Sequence, residues 1–318
     1  MIFILGPTAS GKSALSYAVA KQMSVEIISV DSAQVFKHMD VGTAKPSAIE
    51  MADVPHHLIN IIEPNEVYSA AQFAIDAKKL VTEIHSRGRT PLLVGGTMLY
   101  VSALTQGLND LPQANNAVRD KLNRQATEIG WPSMHQKLLD LDPVIAAKIK
   151  PMDGQRIQRA LEVIELTGRT MSEQLTSDKL GINGDGEHLV ISLEPSDRLA
   201  LHKRIEMRLQ AMFDSGLVKE VKTLRARGDL YPELPSMRCV GYRQVWQKLD
   251  ELEGATDSQI AQTAFYDALV ATRQLAKRQL TWLRANENRH IFDCLHNVDQ
   301  LLQSALSLIE KHEQFNYQ

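Results

Sequence analysis

An α/β fold, a P-loop NTPase-like parallel sheet core flanked by helices with an all-helical insertion domain, is predicted by three observations. A phosphate-loop pattern stands directly behind a short apolar run. Strand-length apolar segments alternate with amphipathic helix-length ones on both sides of the chain's middle, and the middle carries helical periodicity alone. The loop is Gly6-Pro7-Thr8-Ala9-Ser10-Gly11-Lys12-Ser13 after Ile2-Phe3-Ile4-Leu5, which fits G-x-x-x-x-G-K-[ST] in the strand–loop–helix setting the motif needs. Gly6 and Gly11 let successive backbone N–H groups turn inward, and the helix behind them points its positive end at the same spot. Lys12 adds a mobile charge and Ser13 offers a hydroxyl to a metal ion. A chance glycine turn is the plain alternative, against which the flanking strand and helix weigh. The motif leaves open which phosphate is bound.

Composition bounds the rest. With 318 residues, 44% apolar and 23% charged, the chain is long enough for one large domain plus an elaboration and too apolar to be disordered. The net charge is −3, so a polyanion partner must be held by a local basic face. Cys239 and Cys294 have no Cys or His neighbour at metal-ligand spacing and read as buried thiols in a reducing compartment. No apolar stretch reaches the ~18 residues of a membrane span. The apolar N-terminus runs straight into the glycine loop, so the expectation is a cytoplasmic chain with no signal peptide and no membrane partner.

Along the chain, Ser13 to Met23 reads as the helix behind the loop and Val25 to Val30 as a second strand. Asp31 then falls at a strand's carboxyl end, where ligands sit in open α/β sheets, and Asp31-Ser32-Ala33-Gln34 becomes a polar cluster beside the phosphate site. Asp31 reads as a group acting on substrate, with a helix cap or a magnesium ligand as alternatives. A looser segment, Phe36 to Pro55, holds Lys37, His38, Thr43 and Lys45. His56 to Ile62 reads as a short strand whose two histidines point to opposite faces, which favours hydrogen-bonded structural roles over a shared metal. Ser69 and Gln72 form a capping-box pattern before a helix over Ala70 to Ser86, with Phe73, Ala77, Leu80, Val81 and Ile84 as its core face and Gly88 as its stop. Pro91 to Val94 is a fully apolar strand, and Gly95-Gly96-Thr97 turns it into a helix carrying Leu99 and Tyr100.

Leu108 to Asn116 is a turn-rich linker. From Ala117 to Lys179 only helical periodicity appears, broken at Trp131-Pro132, Asp142-Pro143 and Lys150-Pro151, and Gly181 to Gly186 is a second loose stretch. Leu189 to Leu193 is a strand again. This pattern predicts a core over 1–112, a helical insertion over 113–186 and core again over 187–318. In the last segment, a helix over Arg198 to Ser215 buries Leu201, Ile205, Leu209 and Met212 and carries Arg204 and Arg208 on another face. Leu217 to Arg227 follows, ended by Gly228, and turn-rich Tyr231 to Pro235 leads to Ser236 through Gln244. A long helix from Asp257 to Arg284 turns Ile260, Leu269, Leu275, Leu280 and Leu283 inward.

Arg273, Lys277 and Arg284 share one face of that helix with Arg278 beside them, and no acidic residue lies within a turn of them over 273–284. Together with Arg119, Arg156, Arg159, Arg204, Arg208, Arg238 and Arg243 they make a near-neutral chain locally basic. Tyr242, Trp246 and Trp282 interleave with these cations, the mix found where RNA phosphates are held and bases are stacked. A solvated face of snorkelling cations is the alternative.

Gly6 to Ser13 (GPTASGKS), Asp31 to Val35 (DSAQV), Gly42 to Pro46 (GTAKP), His56-His57-Leu58, Gly95 to Tyr100 (GGTMLY), Arg159 to Val163 (RALEV), Arg238 to Gln244 (RCVGYRQ) and Thr272 to Arg284 (TRQLAKRQLTWLR) together resemble the bacterial tRNA dimethylallyltransferase (tRNA isopentenyltransferase) family. The resemblance runs in order over nearly the whole chain. Phe36, where tyrosine is usual, and Asn60, where aspartate is usual, depart from it. The resemblance implies transfer of the dimethylallyl group of dimethylallyl diphosphate to N6 of the adenosine 3′ of the anticodon, in tRNAs reading codons that begin with U. Diphosphate is released, Mg2+ is required, and the partner is the tRNA anticodon stem-loop; a monomer is expected.

By the same resemblance Asp31 is the general base, with Thr8, Lys12 and Arg208 as further catalytic groups. Gly6, Pro7, Thr8, Ala9, Ser10, Gly11, Lys12 and Ser13 cradle the diphosphate, Arg204 or Arg208 reaches it from the other side, and Ser13 faces the metal. The implied tRNA contacts are Asp31, Ser32, Ala33, Gln34, Thr97, Arg119, Gln155, Arg156, Ile157, Gln158, Arg159, Arg238, Cys239, Val240, Gly241, Tyr242, Arg243, Arg273, Lys277, Arg278 and Arg284, with the insertion closing over the anticodon stem. The rivals are a P-loop small-molecule kinase, an adenine-nucleotide isopentenyltransferase and a non-catalytic RNA-binding module with a vestigial loop. Intact Lys12 and Ser13 weigh against the last, and the basic helix against the first two.

Overall fold

Strands that are apolar at nearly every position need cover on both faces, and here they form one parallel sheet. The computed structural model describes residues 1–109, 111–175 and 188–316, with side chains through 312. The strands are β1 (Ile2–Leu5), β2 (Val25–Val30), β3 (His56–His57), β4 (Thr90–Gly95), β5 (Leu189–Glu194) and β6 (His290–Asp293), in the order β3-β2-β4-β1-β5-β6 with every neighbour parallel. Ile4 at the centre pairs in register with Val94 on one side and Ile191 on the other. From β1 the chain goes to β2 and out to β3, returns to set β4 between β2 and β1, and then adds β5 and β6 on the other side, so connections leave the adjacent β1 and β4 in opposite directions, the place ligands occupy in such sheets.

The helices are α1 (Lys12–Ala20), α2 (Ala48–Asp53), α3 (Ala70–Ser86), α4 (Met98–Thr105), α5 (Asn116–Leu141), α6 (Pro143–Ala146), α7 (Gly154–Thr167), α8 (Met171–Gln174), α9 (Arg198–Asp214), α10 (Leu217–Arg225), α11 (Tyr242–Glu251), α12 (Asp257–Arg284) and α13 (Val298–Asn316). The chain forms two compact units, 1–104 with 184–318, and 105–183. In the first unit, Leu15 and Val19 of α1 and Leu302 and Ile309 of α13 pack with Ile2, Ile4, Ile27 and Leu92 of the sheet. A second cluster joins Val35, Phe36 and Met39 to α9 through α12. The described part of the second unit has helices α5 to α8 and no strand, and its core is built from Leu122, Met134, Leu138, Ile157 and Leu161. Its longest helix breaks at Gly130 (φ 79°), just before Pro132, which cannot continue a helix. No helix among the described residues is long and apolar enough to cross a membrane.

Several expectations need correction. The strand over His56 to Ile62 shrinks to two residues because Leu58 (φ 61°) and Asn60 (φ 56°) adopt left-handed backbone, and Ile62 keeps only an isolated bridge to Phe36. The two histidines are nonetheless hydrogen-bonded as read: His57 Nε2 lies 2.6 Å from Glu26 and His56 Nδ1 2.7 Å from the Val54 carbonyl. Ser69 caps α3 by accepting from Gln72 N at 3.1 Å, but the Gln72 side chain goes forward to Asp76 rather than back. On α9 the fourth buried position, beside Leu201, Ile205 and Leu209, is Phe213, and Met212 is only half-buried. Helix α11, strand β6 and helix α13 were not expected at all. The loose stretch Gly181 to Gly186 lies outside the described residues.

Candidate active site

The site grows from the end of β1. Gly11, at φ 85°, is the N-cap of α1 and has no side chain to cap it, and the first turn holds no acidic residue. Its orphan N–H groups and the helix dipole therefore face outward as an anion site. Ala9 (φ 63°) adds a second left-handed residue, unusual for a side chain with a Cβ and characteristic of strained ligand loops. The opposite wall depends on Gly95: a Cβ there would sit 2.1 Å from the Val30 carbonyl oxygen, so only glycine lets β4 end this close to β2.

One cavity of about 570 Å³, within the range of small-molecule sites, opens over these strand ends. Thr8, Lys12, Ser13, Asp31 and Arg208 line its polar side, and Ile205, Leu209, Met212, Leu217 and Leu275 its apolar side. Lys12 turns its ammonium inward to donate to the Pro7 carbonyl at 2.7 Å. Burial first, and then the charge of Arg208, lower its pKa to about 7, with Asp31 pulling the other way. Arg208 is likewise lowered by burial, and Asp31 again opposes the shift. Two cations and one carboxylate thus feel one another across the cavity. Asp31 Oδ1 accepts from Ala33 N at 2.8 Å, and Oδ2 takes no hydrogen bond among the described residues. Ser32 N donates to Thr97 Oγ1 at 3.0 Å, fixing the Asp31 turn to the β4–α4 connection, and Gln34 Oε1 accepts from Ser29 at 2.9 Å. Of the two arginines offered for the diphosphate, Arg208 lines the cavity. Arg204 instead donates to the Cys294 carbonyl at 2.5 Å and is not among the lining residues.

Two polar side chains carry no local sequence signal, Gln279 lining the cavity and Glu220 outside its lining. Gln279 of α12 accepts from Thr8 N at 2.8 Å and donates to the Gly96 carbonyl at 2.9 Å. Glu220 of α10 accepts from the N–H groups of Asp40, Val41 and Gly42 (2.9, 2.8 and 3.2 Å) and from the Tyr242 hydroxyl at 2.5 Å. That last bond corrects the reading of Tyr242 as a stacking platform, because the ring is fully buried and its hydroxyl is spent. Trp246 is buried too, with Arg225 over its ring at 5.4 Å. Trp282 alone of the three is exposed, and it lines the cavity.

The proposed RNA-contact residues divide similarly. Arg238, Cys239, Val240 and Gly241 line the cavity, and Arg238 and Arg243 are exposed. Burial pushes the Cys239 thiol up to about 12 and the Cys294 thiol up to about 11, so neither is a nucleophile. Lys277 and Arg278 are exposed and form no ion pair among the described residues, and Arg278 lines the cavity. Arg273 does have an acidic partner, supplied from α9 rather than its own helix: Glu206 at 3.1 Å. Arg284 stands 3.9 Å from Glu194, whose closer partner is Arg289 at 2.7 Å. In the helical unit Arg119 and Arg159 both hold the fully buried Glu162, at 2.8 and 2.7 Å. Gln158 donates to Asn123 at 2.6 Å, Arg156 pairs with Asp153 at 3.5 Å, and Gln155 is exposed. Ile157 is wholly in that unit's core, which removes it as a surface for RNA.

Both departures from the family pattern meet at Lys45. Its ammonium donates to the Phe36 carbonyl, to Asn60 Oδ1 (2.5 Å each) and to Asp40 at 2.8 Å, while the Phe36 ring is buried. Asparagine keeps the acceptor an aspartate would offer and tolerates the left-handed backbone at this position.

Comparison with known proteins finds relatives over nearly the whole chain. The family model described as IPP transferase matches residues 34–286. The tRNA dimethylallyltransferase of Cupriavidus taiwanensis is 54% identical over 96% of this chain and 95% of its own length, and that of Bordetella pertussis 54% identical over 93% of each. Among solved structures, the full-length tRNA isopentenylpyrophosphate transferase of Bacillus halodurans superposes with a TM-score of 0.69 at 36% identity, covering 100% of this chain and 99% of that one. A eukaryotic dimethylallyltransferase acting on tRNA gives 0.73 at 27% identity, covering 92% of this chain and 73% of its own. Matched by the family model over most of its length and more than half identical to these relatives over nearly all of it, the chain belongs to the IPP transferase family.

Proposed function

We propose that this protein transfers the dimethylallyl group of dimethylallyl diphosphate to N6 of the adenosine 3′ of the anticodon, in tRNAs reading codons that begin with U. The observation that carries the chemistry is one cavity lined by the phosphate loop, Lys12, Arg208 and Asp31 together with apolar Ile205, Leu209 and Leu275. An allylic diphosphate has that same division, an anionic head and a short apolar tail. The loop N–H groups, Lys12 and Arg208 hold the head and neutralise the charge it gathers as the C1–O bond breaks. N6 attacks C1, Asp31 accepts the N6 proton, and the bonding electrons leave with the diphosphate. Adenine N6 is a weak nucleophile, so a carboxylate placed to take its proton is worth ~10²–10⁴ in rate.

The residues present fit a magnesium ion. Ser13 and Asp31 are hard oxygen donors on the same cavity, and Mg2+ typically takes one or two protein oxygens and completes its shell with phosphate oxygens and water. Ser13 would hold it, and bound there it supplies further positive charge to the departing diphosphate.

The tRNA is proposed to lie against Ser32, Ala33, Gln34 and Thr97 at the cavity, Arg238 and Arg243, and Lys277, Arg278 and Trp282 of α12. We read 113–186 as the insertion that closes over the anticodon stem-loop, between core segments 1–112 and 187–318. The target base must leave its stack to reach the cavity. We read the enzyme as a cytoplasmic monomer, because a single chain supplies every group of the site. Incubation with labelled dimethylallyl diphosphate and unmodified tRNA is expected to label the RNA while ATP is not consumed. Asp31→Ala should cut labelling ~10²-fold or more with tRNA still bound. Phosphoryl transfer from ATP without RNA labelling would overturn the proposal in favour of a P-loop kinase.

A further inference from the structure

One amide side chain joins the two halves of the reaction. Gln279 Oε1 accepts from Thr8 N (2.8 Å), a backbone group of the diphosphate cradle, and Gln279 Nε2 donates to the Gly96 carbonyl (2.9 Å). The Gly96 turn continues into Thr97, whose N–H and that of Gly96 both donate to the Val30 carbonyl (3.1 and 3.2 Å), one residue before Asp31. Thr97 Oγ1 then accepts from Ser32 N at 3.0 Å, one residue after it. From leaving-group loop to proton acceptor there is therefore a continuous path: Thr8, Gln279, Gly96, Thr97 and the turn holding Asp31. The fit around the amide is tight. A Cβ on Gly96 would lie 2.3 Å from Gln279 Nε2, so the missing side chain at 96 is the space in which the amide sits. Gln279 is half-buried and lines the cavity, while Arg278 beside it and Trp282 one turn on are exposed at the mouth.

We infer that Gln279 is a positioning residue that sets the distance between the diphosphate cradle and Asp31. This rests on the prenyl-transfer reading above. Displacement at C1 needs the leaving oxygen, the carbon and N6 in line, and a misplacement of about 1 Å costs about 10²-fold in rate. Neither substrate's binding depends on Gln279 in the same way. The loop N–H groups, Lys12 and Arg208 hold the diphosphate, and exposed cations hold the RNA. Losing the amide therefore lowers turnover without a matching loss of affinity.

The test uses the full chain with labelled dimethylallyl diphosphate and unmodified tRNA, and three variants. Gln279→Met keeps the length and removes both hydrogen bonds. Gly96→Ala leaves Gln279 in the sequence but takes the space of its amide. The third carries both changes. Each single variant is expected to lose ~10²-fold in kcat, with KM for either substrate and the Kd for inorganic diphosphate within about threefold of wild type and an unchanged melting temperature. The double variant is expected to be no slower than the worse single one, since both remove the same link. Wild-type kcat in Gln279→Met overturns the inference. So does a loss confined to KM or to tRNA affinity, a loss recovered by assaying at lower temperature where the fold is intact, or multiplicative losses in the double variant. If Gln279→Met does not fold, Gly96→Ala alone decides by the same kcat and KM criteria. A wild-type protein that labels no tRNA would sink the prenyl-transfer reading instead, so the two failures are told apart by the first assay.

Discussion

Lys12 is where a single side chain makes the site's ionic behaviour measurable. Without ligand its ammonium titrates near 7, because burial and then Arg208 oppose the charge more than Asp31 favours it. A bound diphosphate brings opposite charge and raises that pKa. Below about pH 7 the group is protonated with or without ligand and contributes no pH dependence. Above it, binding must draw in a proton, and affinity falls as pH rises, by at most tenfold per unit. Diphosphate itself loses protons over the same rise and so would bind more tightly, which gives the protein's contribution the opposite sign. Calorimetry of inorganic diphosphate in buffers of differing ionisation enthalpy between pH 7 and 9 should show the wild type taking up more protons on binding than Lys12→Met, by at most one, with its Kd moving upward relative to that variant's as pH rises. Lys12 and Asp31 were legible in the sequence because a motif and a strand end mark them. Gln279 and Glu220 were not, because each bonds to backbone N–H groups 271 and 178 to 180 positions away, and such pairings leave no local pattern.

At the scale of the element, the periodicity places α12 at about Asp257 to Arg284, and the structure has it there with Ile260, Leu269 and Leu283 buried, Leu275 and Leu280 only half-buried, and a Thr256–Gln259 capping box that the periodicity does not show. What periodicity could not give was which of its cations are already engaged, since that depends on the neighbouring helix. Arg273 is tied to Glu206 of α9, whereas Lys277 and Arg278 have no such partner among the described residues. Filter binding across a salt series is therefore expected to separate them. Arg278→Ala or Lys277→Ala should weaken tRNA binding and lower the slope of log K against log salt by about one phosphate contact. Arg273→Ala should leave that slope alone. Strand β6 was missed for a related reason. His290–Asp293 is four residues at the sheet's edge, exposed at two of them, and carries no apolar run to find.

In the molecule as a whole, the described residues form two clusters in the unit that holds the sheet and one in the helical unit. The last of these is organised about a charge. Glu162 is fully buried, takes Arg119, Arg159 and the Asn115 N–H, and titrates below the usual carboxylate range because these bonds outweigh the burial that pushes it up. From sequence those arginines read as RNA ligands. The Arg159–Glu162 spacing of three is visible in the sequence, but that Glu162 is buried and also takes Arg119, 43 positions away, is not. Glu162→Ala would leave both guanidiniums facing an apolar core. The cost is expected at about 3 kcal/mol, the lower end for an orphaned buried ion pair, because both arginines keep contact with solvent. That loss should stay local: hydrogen exchange should quicken across 115–167 while the sheet strands keep their protection. Inorganic diphosphate binding at the cradle should not change, and tRNA labelling should fall through weaker RNA binding. Equal loss of protection in β1 and β4 would mean instead that the two units unfold as one, and that Glu162 stabilises the whole chain.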